Sequence, residues 1–380
     1  MKKILFLFVS ILSGMVIYAQ SNRLCVPCLP QGIMFTTQSQ IDSFQINYPN
    51  CTQIGGTVEI NGNMVNLLGL YGVESIGGNL EIQSNTFLSN LSGLTSLQSI
   101  GSGLYVIHNL ALTSLIGLNN LTSIGEGIQI MSNKVLTSLG GLDNLPSIGG
   151  SLEISYNNVL TDLSGLNSLI SIPGYLLIDN NYAMTNVTGL NNLNLIGGKL
   201  DICSNPVLTS LTGLDGVTSI GEGLTITNND ALTSLTGLDN IESGSIDDLD
   251  IIGNGSLSNC AVQSICDYLG YLSGPADIYY NAMGCNSVEE VKDSCGITAI
   301  EQVVPESSLI IYPNPTSTTI TINTPAKCSL SIQNISGQQL LQQQITEPTS
   351  TLDVSGLSTG VYMLKVVGKE SVQVGKFVKK

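Results

Sequence analysis

Apolar and polar residues recur in this chain with a period of about 24 residues. The motif Leu-x-Ile-x-x-Asn sets the frame, and its asparagines are separated by steps of 22, then six of 24, then 25 residues. A fixed period of this length is typical of a solenoid, in which each repeat forms one turn of a coil. The asparagines of the frame are Asn63, Asn85, Asn109, Asn133, Asn157, Asn181, Asn205, Asn229 and Asn254.

Within each period the apolar residues recur at fixed places, mostly two or three residues apart, as in Leu80, Ile82, Leu88, Leu91 and Leu94. A helix with this pattern would be interrupted by two glycines in every period, and glycine weakens a helix interior. We therefore predict short strands separated by bends. The alternation in Leu-x-Ile directs the two apolar side chains inward and the middle residue outward.

The asparagine column has a physical reason, because a buried amide can satisfy backbone N–H and C=O groups at a bend. The glycine that recurs before a leucine in each turn supplies a second bend. Asp or Asn follows this Gly-Leu pair, as at Asp143, Asp215 and Asp239, which indicates a side-chain turn bond rather than a binding site.

The outward positions of neighbouring turns form a broad face with an apolar and aromatic centre and acidic ends. An apolar centre with a polar rim is how recognition surfaces are composed. The alternative is the mixture of side chains that any solvent-facing strand carries. The candidate residues for ligand binding are Tyr105, Ile107, Met131, Glu153, Tyr156, Leu177, Asp179 and Asp201.

The repeat carries a family resemblance. The motif Leu-x-Ile-x-x-Asn is similar to the leucine-rich repeat signature, and its fuller form, SIGGNLEIQSN…LSGLTSLQSIG, resembles the receptor L domain over about residues 56–256. That family contains the ligand-binding modules of insulin- and EGF-receptor-type ectodomains. The resemblance implies a right-handed β-solenoid of leucine-rich character, and the greater regularity of these repeats leaves the curvature open.

The charge distribution is uneven. Residues 20–308 contain four Lys and Arg against 25 Asp and Glu, a formal charge of −21. Such a surface repels phosphate backbones, so we expect no nucleic-acid partner. Cations or a basic partner fit it better.

The first 20 residues, MKKILFLFVSILSGMVIYAQ, have the plan of a secretory signal peptide, with cleavage after Ala19. The alternative is a membrane anchor, but the apolar run is short for a span. Export favours disulfides among the nine cysteines.

Two cysteine clusters flank the repeats and indicate stapled end caps. Cys28 and Cys51 bracket a predicted helix within residues 36–48 and are expected to pair. In the second cap, residues 260–269 and the capping-box pair Ser287 and Glu290 predict two helices. Its four cysteines can connect in three ways, of which Cys260–Cys285 with Cys266–Cys295 is favoured. A zinc site is the alternative, disfavoured because the spacing lacks a CxxC pair. Cys25, Cys203 and Cys328 receive no role.

From residue 309 onward, short alternating segments separated by turn residues predict a small antiparallel, immunoglobulin-like β-sandwich. This tail resembles the type A sorting domain of the type IX secretion system of Bacteroidota. The matching residues are Tyr312, Pro313, Asn314, Pro315, Gly360, Val361, Tyr362, Lys376, Lys379 and Lys380. The resemblance implies that the type IX secretion machinery is a partner. It also implies that the exported protein is either released or anchored at the cell surface, and the anchor we consider is lipopolysaccharide.

Other chemistry finds little support. His108 is the single histidine in the chain and follows the turn pattern, so a catalytic triad and histidine-rich metal sites are not expected. The GxG segments lack the GK[ST] of a phosphate loop. Glu153 and Asp201 lie two turns apart, about 10 Å, which is loose for a retaining glycosidase pair and marginal for an inverting one. Asp247, Asp248 and Asp250 are interpreted as a solvated bulge, with calcium binding as the alternative.

The sequence therefore predicts a mainly β protein, a leucine-rich right-handed β-solenoid with disulfide-stapled helical caps followed by the sandwich. We expect no cofactor, no metal and no enzymatic activity. The hypothesis is a secreted or surface protein that binds a protein or glycan ligand; a structural surface-layer component is the alternative, and a glycoside-active enzyme the third. The predicted segments are signal peptide 1–19, N-terminal cap 20–55, repeats 56–256, Cys-rich cap 257–297, linker 298–308 and sorting domain 309–380.

Overall fold

The computed structural model describes residues 27–271, 274–297, 309–324, 327–368 and 372–380. The predicted signal peptide, Cys25 and the predicted linker 298–308 lie outside the described residues. The chain divides into two compact units, the first ending at residue 297 and the second beginning at residue 298.

The first unit is built on a long parallel sheet, which we call the main sheet. Each turn of the repeat contributes one strand, and each strand pairs in register with the strand of the next turn. Leu and Ile of the motif point into a continuous apolar core, as the alternation predicts. The strands are Ile33–Phe35, Val58–Asn61, Leu80–Gln83, Leu104–Ile107, Ile128–Met131, Leu152–Ser155, Leu176–Asp179, Leu200–Cys203, Leu224–Thr227, Leu249–Ile252 and Ala276–Tyr279.

Two-residue strands on another side of the coil stack into two shorter parallel sheets. Bridges at Ile124–Ile148 and Ser147–Ser171 connect these sheets across the intervening turn. The remaining corner is formed by bends and short 3-10 helices at Leu68–Leu70, Ser92–Leu94 and Ser243–Ser245. The two-residue strands are Gln53–Ile54, Ser75–Ile76, Ser99–Ile100, Ser123–Ile124, Ser171–Ile172, Leu195–Ile196 and Ser219–Ile220.

The predicted glycine bend is required by contact between turns. Gly117 has a φ of 120°, and a Cβ atom there would lie 1.9 Å from the carbonyl oxygen of Leu91 in the preceding turn. No side chain fits such a gap, so only glycine allows the turns to stack this closely. The neighbouring Asn119 accepts a hydrogen bond from the Gly117 N–H at 3.1 Å, which is the expected side-chain turn bond.

The asparagines form a buried ladder along the coil. Asn157 shows the pattern: its Nδ2 donates to the carbonyl oxygen of Ile130 at 2.9 Å, and its Oδ1 accepts from the backbone N–H of Asn133 at 3.1 Å. The asparagine side chain thus satisfies backbone groups that the bend leaves unpaired inside the core. The ladder contains Asn85, Asn109, Asn133, Asn157, Asn181, Asn205, Asn229, Asn254 and Asn281.

The ladder differs from the sequence alignment at both ends. Asn63 is not a member, because Gly62 adds one residue to its turn and Met64 occupies the ladder position. The backbone N–H of Met64 donates to Asn85 Oδ1 at 3.1 Å, whereas Asn63 has a φ of 60° and its side chain accepts a bond from the exposed Thr86. At the other end Asn281, which lies in the predicted cap, adds one further step.

Both caps combine helices with disulfides. The N-terminal cap has two short helices, α1 (Gln38–Asp42) and α2 (Phe44–Asn47), where the sequence predicted one. In the C-terminal cap, α3 (Gln263–Tyr271) is followed by α4 (Val288–Ser294), and Ser287 caps α4 by accepting the Glu290 N–H at 3.2 Å. The disulfides are Cys28–Cys51, Cys260–Cys285 and Cys266–Cys295, the pairs favoured by the sequence.

The second unit is a pair of small antiparallel sheets around their own apolar core. One sheet contains Ile311–Tyr312, Thr319–Asn323 and Thr349–Asp353, and the other contains Cys328–Asn334, Gln339–Ile345, Gly360–Val367 and Val372–Lys379. Inward residues alternate along the strand Gly360–Val367, as the sequence predicts. Within the described ranges, no helix has the length and apolar character needed to cross a bilayer.

The ladder generates a stability prediction. Replacing Asn157 by Ala leaves the Ile130 carbonyl and the Asn133 N–H buried without their amide partners, and each such group costs about 1–3 kcal/mol. We expect a fall of about 3 kcal/mol or more in the free energy of unfolding. Denaturant titration monitored by circular dichroism measures it. The adjacent, half-buried Asn158→Ala is the control and is expected to cost under about 1 kcal/mol. Equal losses in the two variants would contradict the role of the ladder.

Candidate functional site: the outward face of the main sheet

The outward residues of the main sheet form two columns in strict register. The first outward column contains Glu59, Glu81, Tyr105, Gln129, Glu153, Leu177, Asp201, Thr225, Asp250 and Asp277. The second outward column contains Asn61, Gln83, Ile107, Met131, Ser155, Asp179, Cys203, Thr227, Ile252 and Tyr279. Neighbours within a column are separated by one strand spacing, about 4.8 Å.

Most of the predicted binding residues lie together on these columns. Tyr105, Glu153, Leu177 and Asp201 belong to the first outward column, and Ile107, Met131 and Asp179 to the second. All seven are half-buried. Their side chains therefore pack partly against one another while each keeps an accessible surface.

Tyr156 has a different position from the other candidates. It follows the strand Leu152–Ser155, has a φ of 59°, and is 45 % exposed at the bend before Asn157. The equivalent residue of neighbouring turns has the same left-handed backbone, including His108 with a φ of 58°. This conformation turns the next asparagine into the core. Tyr156 thus lies at the edge of the face rather than in its centre, and His108 is an exposed bend residue.

A depression interrupts the first outward column, and we call it the tyrosine depression. It has a volume of about 220 Å³ and is bordered by Tyr105, Gln129, Glu153 and Tyr175, with Gly127, Ile128 and Ser151 completing the lining. Gly127, Ser151 and Tyr175 occupy the same position in three successive turns, directly before the strand. The depression exists because Gly127 has no side chain at the position that Tyr175 fills two turns later. Tyr105 lies close over Gly103, where a Cβ atom would be 2.7 Å from the ring.

Glu153 is the carboxylate that lines this depression. One carboxylate oxygen accepts from Gln129 Nε2 at 2.8 Å, and the other accepts from the hydroxyl of the buried Ser155 at 3.1 Å. Burial raises the pKa of Tyr175, and the nearby Glu153 carboxylate and Tyr105 raise it further. Tyr175 therefore stays neutral beside a carboxylate that is fixed by hydrogen bonds.

Four polar side chains form a second cluster, one to two turns further along. The Cys203 thiol donates to Asp179 Oδ1 at 3.2 Å, and Asp201 lies 3.8 Å from Lys199 Nζ. Burial raises the pKa of Cys203 well above its usual range, and Asp201 and Asp179 add to this effect. Burial also raises the pKa of Asp201, against the opposite effect of Lys199. Cys203 is therefore a protonated thiol, poorly suited to act as a nucleophile.

The structure also locates the acidic bulge. Asp250 lies in the first outward column, while Asp247 and Asp248 precede its strand. In the part of the chain that the structure describes, no three His, Cys, Asp or Glu side chains are grouped so that they could hold a metal ion.

The residues of the predicted sorting signal come together in the second unit. Asn314 Nδ2 donates to the carbonyl oxygen of Lys376 at 2.9 Å, and Asn314 Oδ1 accepts the Val378 N–H at 2.9 Å. The motif Tyr312 to Pro315 is thereby held against the basic C-terminal strand, where Lys376 and Lys380 are exposed and Lys379 is buried. Gly360 begins the preceding strand.

Tyr362 anchors the same sheet. Its ring stacks on Phe377 at 5.5 Å between centroids, and its hydroxyl donates to the carbonyl oxygen of Ser358 at 2.7 Å. A hydroxyl that bonds the backbone a few residues upstream resembles the tyrosine corner of β-sandwiches.

The residues that sequence reasoning missed are those of the tyrosine depression outside the candidate list. Gln129, Ser151 and Tyr175 line it beside the predicted Tyr105 and Glu153. Tyr175 precedes the Leu-x-Ile motif, in a column that carries Gly103, Gly127 and Gly223 in other turns. A large aromatic residue in a column otherwise made of glycine and polar residues is the signal that could have indicated the site.

Comparison with known families supports both resemblances. Residues 146–236 match the Receptor L domain, and residues 310–380 match the Secretion system C-terminal sorting domain. No curated protein matches the chain significantly. The two matches support a secreted surface protein exported by the type IX secretion system. The long parallel sheet and the Receptor L domain match confirm the mainly β fold predicted from the sequence.

Cys203 gives a reactivity prediction. Because its pKa is raised, iodoacetamide at pH 8 should alkylate it at least about tenfold more slowly in the folded protein than in the denatured chain. Asp179→Asn removes a charge that opposes the thiolate and should accelerate the reaction, whereas the exposed Asp230→Asn should not. Peptide mass spectrometry over time measures both. Equal rates in the folded and denatured protein would contradict the buried thiol.

Asp201 gives a prediction for pH dependence. A carboxyl group whose folded-state pKa is raised destabilises the fold once the pH exceeds its ordinary value, about 3.9, and this loss grows until the pH passes the raised value. Asp201→Asn should therefore raise the thermal midpoint at pH 7 and leave it unchanged at pH 3. Lys199→Met, which removes the compensating charge, should lower the midpoint at pH 7. The same sign for both variants at pH 7 would refute the assignment.

Proposed function

We propose that this exported protein is a binding or adhesion protein that recognises a protein or glycan through the outward face of the main sheet. The observation that carries the proposal is the registered apolar centre of that face. Tyr105, Ile107, Met131 and Leu177 lie within four consecutive strands, and each is half-buried. Glu153 lies among them, and further carboxylates lie towards both ends of the columns. Central apolar residues with a polar rim are typical of recognition surfaces.

The backbone beneath this face supports the proposal. Each strand is hydrogen-bonded to both neighbours, and the asparagine ladder fixes the bend that follows it. Side chains on such a sheet lose little conformational freedom on binding, and this pre-organisation favours affinity. The position of Tyr156 at the edge makes it a rim residue in this proposal rather than a central one.

We propose binding without catalysis. Glu153 and Asp201 lie in the same column with Leu177 between them, about 10 Å apart along two strand spacings. That separation is loose for a retaining carboxylate pair and marginal for an inverting one in glycoside hydrolysis. The protein's final location, released or held by surface lipopolysaccharide, is part of the same proposal and is accessible to intact-mass measurement of the exported product.

The test is a binding screen with the purified exported chain against glycan and surface-protein arrays. We expect saturable binding that Tyr105→Ala weakens about tenfold or more, as expected for a central aromatic contact. Tyr156→Ala should have a smaller effect. Tyr71→Ala is the matched control, because Tyr71 is 66 % exposed and lies outside the face, and it should leave the affinity unchanged.

The outcomes separate the three functional hypotheses. Saturable binding that none of the face variants weakens would show that another surface binds the ligand. Absence of saturable binding to any component, with assembly of the chain into surface layers, would support the structural alternative. Turnover of a glycan by the purified chain would overturn the proposal of binding without catalysis.

A further inference from the structure

The tyrosine depression has a chemistry more specific than that of the face around it. It presents one carboxylate, Glu153, between two tyrosine rings, Tyr105 and Tyr175, above the glycine gap at Gly127. Resting on the proposed function, we propose that this depression receives the charged end of an arginine or lysine side chain from a protein partner.

The first support is the uncompensated charge of Glu153. Its two carboxylate oxygens accept bonds from a neutral amide and a neutral hydroxyl, Gln129 and Ser155. An ionised carboxylate has about four acceptor sites, so half of its capacity remains for a ligand. In the described part of the chain the ion pair present is Lys199 with Asp201, and none of the described Lys or Arg side chains pairs with Glu153.

The second support is the aromatic frame. Tyrosine rings attract ammonium and guanidinium groups through their electron-rich faces, most strongly where water is partly excluded. Tyr105 is held by its close approach to Gly103. Tyr175 borders the same depression, close enough to Glu153 for that carboxylate to add to the effect of burial in raising the pKa of Tyr175. The carboxylate and the two aromatic groups thus converge on a space of about 220 Å³. A side-chain head group and its last methylene groups fit that volume.

The third support is the field around the depression. Residues 20–308 carry a formal charge of −21, which attracts basic partners and repels anionic ones. A neutral sugar could stack on the tyrosines, but it would partly desolvate the Glu153 carboxylate without supplying a counter-charge. Charge complementarity therefore favours a basic protein side chain over a glycan at this position.

The test uses saturation-transfer and titration NMR on the full exported chain with four probes. N-acetyl-arginine amide and N-acetyl-lysine amide supply the cation, N-acetyl-norleucine amide supplies the apolar stem alone, and maltohexaose represents a neutral glycan. We expect the two cationic probes to bind, with an affinity that falls as salt rises. The norleucine and maltohexaose probes should bind at least about tenfold more weakly, since they leave Glu153 without a partner.

The matched variants are Glu153→Gln and Glu59→Gln. Glu59 is half-buried in the same column, four strands from Glu153 and outside the depression. Glu153→Gln should weaken cation binding about fivefold, the scale of a partly exposed ion pair, while Glu59→Gln should leave it within about twofold. Tyr175→Ala should also weaken it, and Tyr71→Ala should not. Equal thermal midpoints exclude misfolding as the cause.

Two results would overturn the inference while leaving the proposed function intact. One is cation binding that Glu153→Gln and Glu59→Gln weaken equally, which would mean non-specific attraction to an acidic surface. The other is preferential binding of maltohexaose that Tyr175→Ala abolishes, which would make the depression a glycan site. Failure of the proposed function has a different signature, namely no saturable ligand that depends on Tyr105.

Discussion

The structure depends on satisfying backbone polar groups at a bend that is buried in an apolar core. One asparagine per turn meets this requirement. Its side-chain N–H donates to a strand carbonyl of the preceding turn, and its side-chain oxygen accepts from the backbone N–H of the preceding asparagine in the ladder. The bond between two successive ladder asparagines forms only when both occupy the same position within their turns, so the number of residues in each turn is constrained. The left-handed residue before each asparagine and the glycine that touches the preceding turn follow from the same close stacking.

This inward constraint leaves the outward face free to vary. The ladder bonds the outward columns only through backbone carbonyls, as at Ser155, so their side chains can change from turn to turn while the backbone pairing stays the same. The apolar centre, the tyrosine depression and the buried thiol at Cys203 are therefore differences in side chains on one regular scaffold. A function that depends on this face is therefore determined by about one or two outward residues per turn. The other residues of each turn form the scaffold that holds those outward side chains in position.

The sequence predicted the repeated part of the fold because period, apolar columns and glycine bends are each visible in one chain. It predicted the caps because cysteines and helical spacing mark them. The prediction that Asn63 belongs to the asparagine column was wrong, because Gly62 inserts one residue and Met64 occupies the ladder position instead. Sequence reasoning missed Asn281 because Ala276 replaces the leucine of the motif. It missed Tyr175 because the depression requires knowing that Tyr105 and Tyr175, in different columns and turns, border the same gap.

The ladder bonds join residues one turn apart, most of them 24 positions apart in the chain. A coil with only nearest-neighbour contacts behaves as a one-dimensional cooperative array, in which order spreads from an already folded turn to the next. Closing each added turn costs about the same loop-closure entropy, because every turn has nearly the same number of residues, whatever the total length of the coil. Nucleation at one disulfide-closed end and stepwise growth is therefore sufficient to fold the unit, and lengthening it by a whole period would leave the existing turns undisturbed.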